Sequence, residues 1–347
     1  MAKTQKPTNA LKVVIAGMGS RGKDWVREVR ESPAYELSAC VDIDPNILQS
    51  AASALNIPEQ FSFLDLQEAL EQTKCDVLVV ATPVSNHTQA CHIALSRKIA
   101  VLVEKPFALS VKEAVALVSF AEQQGVPILV AQNYRYMRAF RTVKRLISDG
   151  VLGRIGLVAC HYYRPPHQMA ASLAGLNNSV LWGMSVHHLD VLRYVLGREV
   201  TGVAAESFTL PWGKLPPGAS LQVLLSFADE MRATYTATYE SSGHQFFERG
   251  QEFYARFVGE RATLHVYHRW LILCENGRLP RLVRRGPRKL TEERILLDQL
   301  ERALIKGIEP DSSGRDNLQT MAIVEACMRS ASERSWINPQ ELLNGYR

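Results

Sequence analysis

Three glycines at the spacing Gly17-Met18-Gly19-Ser20-Arg21-Gly22 follow directly on the apolar run Lys12 to Ala16 and open a stretch of helical periodicity through Trp25, Val26 and Val29. Each answers a separate steric demand. Gly17 permits a tight turn from strand to helix, Gly19 lets the backbone approach a pyrophosphate, and Gly22 lets helix and strand pack closely. The helix start that contains Ser20 and Arg21 offers free N–H groups and the positive end of the helix dipole to phosphates. Twenty residues after Gly22 the next apolar run ends at Asp42. A carboxylate there accepts hydrogen bonds from the adenosine ribose and repels a 2′-phosphate, and Ile43 beside it offers no arginine to receive one. Together these signals specify NAD, in preference to NADP, on a βαβ unit. The neighbouring Asp44 reads instead as the cap of a helix that begins at Pro45.

A second candidate for chemistry is Lys105. The run Ala100 to Val103 leads into Glu104-Lys105-Pro106, which sets a lysine at the carboxyl edge of a parallel strand, the edge where such sheets bind ligands. An ammonium beside a hydroxyl under oxidation lowers the hydroxyl pKa and stabilises the alkoxide that donates hydride. On position alone, a salt-bridged surface lysine is the stronger reading. Further along, Tyr162, Tyr163, Arg164 and His167 close a later strand, and Tyr239 stands late in another. Strand aromatics belong more often to cores than to ligand sites. Arg135 and Arg164 together suit a carboxylate, sulfonate or phosphate, although arginine also binds neutral hydroxyls.

The elements that must position these residues follow from the rhythm of the chain. From Leu11 to about Val130, short β-branched runs (KVVIAG, ELSACVD, CDVLVVAT, AVLVEKP, VPILVA) alternate with amphipathic stretches such as Ser110 to Gln124. Runs that are nearly all apolar are strands covered by helices on both faces. Beyond about Ala131 the pattern changes to a helix near Met137 to Ser148, a strand Ile155 to Tyr163 and a helix near Met184 to Leu196. Long alternating runs follow from Val200 to about Leu273, including TLHVYHRWLILC read as one strand. Helices at about Thr291 to Lys306 and Arg315 to Ser332 close the chain. The fold class is therefore α/β: a parallel, doubly wound Rossmann sheet in residues 1–131, then an α+β domain with a large, mainly antiparallel open sheet in residues 132–347, whose last helices can pack back on the first domain.

At 347 residues, two domains is the natural expectation. A net charge of +5, with 46% hydrophobic and 22% charged residues, is ordinary for a folded protein and gives no reason to expect nucleic acid or membrane as partner. The basic run Arg278 to Lys289 is broken by Pro280, Gly286 and Pro287 and reads as a solvated loop between strands. Six cysteines without CxxC spacing suggest buried thiols and no metal site. With no apolar leader at MAKTQKPTNA, they indicate the cytoplasm.

In this order, GxGxxG, Asp42, ATPVSNH, VEKP, QNYRY and HHLDVLRYVLG resemble the glucose-fructose oxidoreductase and inositol dehydrogenase family, over most of the chain. The resemblance implies an NAD(P)-dependent dehydrogenase acting on a small sugar, cyclitol or derivative. It makes Lys105 the catalytic lysine, with Glu104 and Pro106 as its neighbours and a cis Lys105–Pro106 bond. Thr82, Pro83, Asn86 and His87 become the loop beside the nicotinamide ribose, and Asn133 and Arg135 line the cleft. His187 becomes the proton acceptor, with Asp190 one turn on along the same helix face and His188 on another. Tyr163, Arg164 and Tyr239 become substrate contacts. One departure stands out, because the family usually has an aspartate four residues before this histidine and here the position is Gly183. Trp182, Ser185 or a residue elsewhere replaces it, or the chemistry differs from simple alcohol oxidation, or activity is lost. The first expectation is reversible oxidation of a secondary alcohol. Its alternatives are an NAD-dependent redox glycoside hydrolase and a non-catalytic NAD-binding sensor. An open sheet with one uncovered face further suggests a homodimer or homotetramer.

Overall fold

The computed structural model describes residues 10–169, 173, 175–242, 252–267, 270–287 and 290–346. In chain order the elements begin with β1 (Leu11–Ala16), α1 (Ser20–Glu31), β2 (Tyr35–Val41), α2 (Pro45–Leu55), β3 (Ser62–Phe63) and α3 (Leu66–Gln72). They continue with β4 (Val77–Val80), α4 (His87–Ser96), β5 (Ala100–Val103), α5 (Val111–Gln124) and β6 (Ile128–Val130). Then come α6 (Arg138–Ser148), β7 (Ile155–Tyr163), α7 (Val186–Leu196), β8 (Val200–Phe208), β9 (Ser220–Phe227) and β10 (Arg232–Thr238). The sheet elements end with β11 (Glu252–Gly259), β12 (Ala262–Tyr267), β13 (Leu271–Glu275) and β14 (Arg281–Leu282), and α8 (Glu292–Lys306), α9 (Gly314–Glu333) and α10 (Pro339–Asn344) follow. The chain divides into two compact units, Met1–Asn133 with Leu290–Leu318, and Tyr134–Lys289 with Gln319–Arg347.

The first unit holds a six-stranded sheet in the order β3-β2-β1-β4-β5-β6, with every neighbouring pair parallel. Winding runs one way from β1 to β3 and the other way from β4 to β6, so the switch point lies between β1 and β4, where ligands bind at the carboxyl ends of the strands. Local chemistry sets the helix ends. The Asp44 carboxylate caps α2 by accepting from the Asn46 and Ile47 N–H groups, and Ser110 caps α5 by accepting from Glu113 N–H. Gly125, left-handed at φ +68°, closes α5. α8 belongs to this unit: the Tyr35 hydroxyl donates to the Leu297 carbonyl, and Thr291 Oγ1 donates to Glu28.

The second unit is an eight-stranded sheet in the order β14-β13-β12-β11-β7-β10-β9-β8, antiparallel throughout except for β7 beside β10. That parallel pair arises because α7 carries the chain across to β8 and the meander β8-β9-β10 then returns alongside β7. Strand alternation makes the sheet one-sided. Val158, Cys160 and Tyr162 of β7 are buried in the core with α7 residues such as Leu189 and Leu192 and α9 residues Ile323 and Val324, while Leu157 is exposed. The segment read as one strand, Thr263 to Cys274, is instead the antiparallel pair β12 and β13. Its apolar positions change phase from Leu264 and Val266 to Leu271 and Leu273, and an unbroken strand cannot bury both sets on one face. Within the basic run, Arg281 and Leu282 form the short, exposed edge strand β14, while Arg288 and Lys289 lie outside the described residues.

A buried ion pair ties this unit's helices together. Arg135 grips Asp190 of α7 through two hydrogen bonds of 2.6 Å, and Thr320 of α9 donates to the same carboxylate at 2.7 Å. Arg193 in turn donates to Thr320 at 3.0 Å. Asp190 is 0% and Arg135 1% exposed, so removing one partner strands the other charge out of water. Asp190→Ala is expected to cost about 3–5 kcal/mol, read as a lower urea midpoint by circular dichroism. An unchanged midpoint would contradict this structural role.

Candidate functional site

In the first unit the glycine turn is built as its spacing requires. Gly17 has φ +90°, and a Cβ there would lie 2.5 Å from the Ala81 carbonyl; a Cβ on Gly22 would lie 1.9 Å from the Gly17 oxygen. Gly19 has nothing within 4 Å of where its Cβ would be. The turn is thus packed tight beneath and open above. Gly19 is also the N-cap of α1 and supplies no side-chain cap, so the N–H groups of Ser20, Arg21 and Gly22 are left for an anion. Asp42, half-buried at the end of β2, accepts from Met18 N–H at 2.7 Å and from Asp44 N–H at 3.0 Å. These bonds fix the acid beside the glycine turn. Strong donors, a cradle that a Cβ would fill and a fixed acid fit a dinucleotide.

Across the switch point, Thr82 follows β4, Lys105 follows β5 and precedes a cis Lys105–Pro106 peptide, and Asn133 follows β6. Thr82 Oγ1 and Asn133 Oδ1 are buried without a hydrogen-bond partner among the described residues, as expected of groups that face a ligand. Pro83 is exposed and Asn86 half-buried. His87 is buried, one ring nitrogen 3.0 Å from the Thr82 carbonyl and the other 2.9 Å from the Pro106 carbonyl. It therefore joins the two loops, and burial lowers its pKa. Glu104 accepts from Arg21 at 2.7 Å and from the Trp25 indole at 2.9 Å. The half-buried Lys105 ammonium is pulled down to about 8, mainly by desolvation, against the adjacent Glu104 carboxylate.

In the second unit His187, 5% exposed, stacks on Tyr134 with ring centroids 4.2 Å apart. His188 is committed elsewhere. Ser185 donates to the Val180 carbonyl and so accepts from Tyr235, whose hydroxyl must then accept from His188 Nδ1 at 2.8 Å. The turn before α7, Leu181–Ser185, is π-helical and includes Trp182, whose ring packs against the core. Gly183 is where that turn meets Tyr239: a Cβ would lie 2.4 Å from the Tyr239 hydroxyl and 2.5 Å from Leu173 Cδ1. The phenol occupies the space a side chain at 183 would need. Arg164 is bonded through its backbone to Thr238, and its buried Nε has no partner among the described residues. Its charge pulls against the upward push that burial gives the phenols of Tyr134, Tyr162 and Tyr239.

The second unit thus gathers His187, Arg164, Tyr239 and Gly183 with Tyr134 and Tyr162. It sets Arg135 and Asp190 apart as a buried pair. Tyr163 is on the other face of the sheet, stacked on His161, whereas Tyr162 packs on His188 at 4.9 Å. Three residues to which the sequence reading gave no part in the site belong to these arrangements: Tyr134, Trp25 and Glu293. Tyr134 was signalled, since it stands between Asn133 and Arg135. Trp25 read only as helix core. Glu293, which accepts from Arg21 at 3.0 Å and Asn133 at 3.1 Å, is locally just an acid in the first turn of a helix. Among the described residues no group of three His, Cys, Asp or Glu side chains could hold a metal ion.

Comparison with known proteins agrees with both units. Residues 11–132 match the oxidoreductase family with an NAD-binding Rossmann fold, and residues 140–265 match the GFO/IDH/MocA C-terminal domain. The chain belongs to this oxidoreductase family, and NAD is the cofactor its first domain binds. It is 26% identical over 353 residues to a D-apiose dehydrogenase of Paraburkholderia graminis, covering 95% of this chain and 90% of that one. It is 29% identical over 199 residues to an inositol 2-dehydrogenase of an Arthrobacter species, covering 56% and 57% of the two chains. An oxidoreductase from Agrobacterium radiobacter, solved with NAD+, L-tartaric acid and magnesium, shares the fold with a TM-score of 0.85 at 21% identity, over 96% of this chain and 99% of that one.

Two substitutions test the arrangement. Gly19→Ala enters open space, so thermal stability should stay within about 0.5 kcal/mol of the parent, while calorimetric NAD+ affinity falls at least about tenfold as the methyl meets the pyrophosphate. Gly183→Ala should cost about 1–3 kcal/mol by overpacking against Tyr239. The same change in a Tyr239→Phe background should cost less, since the clashing oxygen is gone. Equal costs in the two backgrounds by urea titration would mean that Leu173, not Tyr239, fills the space.

Proposed function

We propose that this protein is an NAD-dependent dehydrogenase that oxidises a secondary alcohol of a sugar, cyclitol or sugar derivative, working in the cytoplasm, where its six free thiols stay reduced. The observation that carries this reading is Lys105, half-buried at the carboxyl end of β5 in the nicotinamide half and drawn down to about 8. When bound, NAD+ supplies the hydride acceptor. The Lys105 ammonium stabilises the alkoxide as hydride leaves the carbinol carbon, and the neutral imidazole of His187 takes the hydroxyl proton. Arg164 brings an unsatisfied buried donor suited to substrate hydroxyls or an acidic substituent. The Tyr239 hydroxyl supplies a polar group in the space at Gly183. A D-apiose dehydrogenase and an inositol 2-dehydrogenase among the relatives support carbohydrate and cyclitol substrates. No helix among the described residues is long and apolar enough to cross a membrane.

The same reading includes a homodimer or homotetramer. The uncovered face of the large sheet carries Leu157, Leu224 and Tyr267 at 45%, 50% and 40% exposure, and His161, Tyr163 and Tyr254 form an aromatic row with Tyr267. A second copy burying this face suits its apolar and aromatic character.

The test is a panel of pentoses, aldoses and cyclitols with NAD+, followed by NADH absorbance. A substrate should accumulate NADH in proportion to oxidised product. Sugar release from glycosides without net NADH would overturn the reading in favour of a redox glycosidase. Because Lys105 acts as the ammonium, kcat/KM for oxidation should fall as pH rises through about 8. Lys105→Arg, which stays charged, should lose that alkaline limb.

A further inference from the structure

Glu293 lies in the first turn of α8, in the segment that closes the first unit after the whole of the second sheet has been traversed. A single oxygen, Oε1, accepts from Asn133 Nδ2 at 3.1 Å and from Arg21 Nη2 at 3.0 Å. Arg21 passes its Nε to Glu104 at 2.7 Å, and the Trp25 indole holds the same Glu104 oxygen at 2.9 Å. The two carboxylates are nearly enclosed, with side-chain exposures of 8% for Glu104 and 14% for Glu293. This network runs from the glycine turn to the loops after β5 and β6.

A side-chain amide is nearly symmetric in shape, so an asparagine turns either way unless its partners decide. Glu293 decides here. A carboxylate only accepts, so the Asn133 NH2 must face it and Oδ1 must point away; the reverse would set two acceptors against each other. Oδ1 is buried with no partner among the described residues, and so is Thr82 Oγ1 at the end of β4. Since β4 and β6 lie on either side of β5, these two unsatisfied oxygens follow the strands that flank the one leading into Lys105.

We propose that Glu293 is a positioning residue for the nicotinamide end of the dinucleotide. It turns the Asn133 carbonyl toward the ligand as an acceptor for an N–H donor, and it tethers the Arg21 guanidinium that holds Glu104 beside Lys105. This rests on the cofactor assignment and extends it to a residue 160 positions from Asn133.

The test is calorimetric titration of the full-length protein with NAD+ and with ADP-ribose, which lacks the nicotinamide, for the parent, Glu293→Gln, Asn133→Ala and the double variant. The glutamine of Glu293→Gln can donate as well as accept, so Asn133 becomes free to turn. Glu293→Gln should weaken NAD+ about tenfold, roughly the loss of one hydrogen bond, and leave ADP-ribose unchanged. Adding it to Asn133→Ala should change NAD+ affinity little further. Asn133→Ala alone should show the same selectivity, which keeps the test valid should Glu293→Gln unfold. An equal loss for both ligands would assign Glu293 to the phosphate turn through Arg21 and overturn the proposal, as would undiminished NAD+ affinity. Failure of the parent to bind NAD+ would overturn the cofactor assignment itself, and this proposal with it.

Discussion

The contact on which the cofactor half depends is the approach of Gly22 to the Gly17 carbonyl, so close that a Cβ would lie 1.9 Å from the oxygen. It fixes the start of α1 against the end of β1 and sets the direction in which Arg21 and Trp25 leave the helix. Because α1 is held there, Arg21 and Trp25 both reach Glu104, the residue before Lys105. A steric allowance at one glycine is thereby converted into a hydrogen-bonded frame around a lysine more than eighty positions away. The same frame accounts for the Arg21 charge, which is taken up by Glu104 and Glu293.

The second unit rests on a different principle. Its sheet is apolar on one face only, and α7 lies in the core of that face. Two polar clusters then fix the helix. Asp190, held by Arg135 and Thr320, pins its middle, and the run from Val180 through Ser185 and Tyr235 to His188 pins its start. Between them His187 lies stacked on Tyr134. On the proposed reading, neighbouring histidines thus divide into one whose proton is fixed by the core and one that exchanges its proton with substrate.

How much of this was legible in the sequence depended on whether the cause was local. The glycine turn, Asp42, the Asp44 cap and the close of α5 at Gly125 are determined by residues within a few positions of each other, and each appears where the pattern placed it. The split of Thr263 to Cys274 into two strands was also written locally, as a phase change in the alternation. What escaped detection was side-chain partnership across the fold. Arg135 and Asp190 looked like cleft residues because both are charged and sit in recognisable motifs; 55 positions of chain between them hid the fact that they satisfy each other. Tyr162 and Tyr163 could not be ranked until strand orientation showed which one points inward. Glu293 gave no signal at all, since an acid in the first turn of a helix is the commonest thing to find there.

That α8 completes the first unit has a consequence for how the protein is made. The Rossmann sheet is finished by Val130, yet the unit includes residues 290–318, which leave the ribosome only after every strand of the other sheet has been synthesised. Until then Tyr35, Glu28 and Asn133 lack the partners that α8 brings. The dinucleotide domain is therefore the first to begin and among the last to be completed, and a fragment cut at its apparent boundary would expose the surface that α8 covers. In such a chain the two domains are threaded through each other in time as well as in sequence.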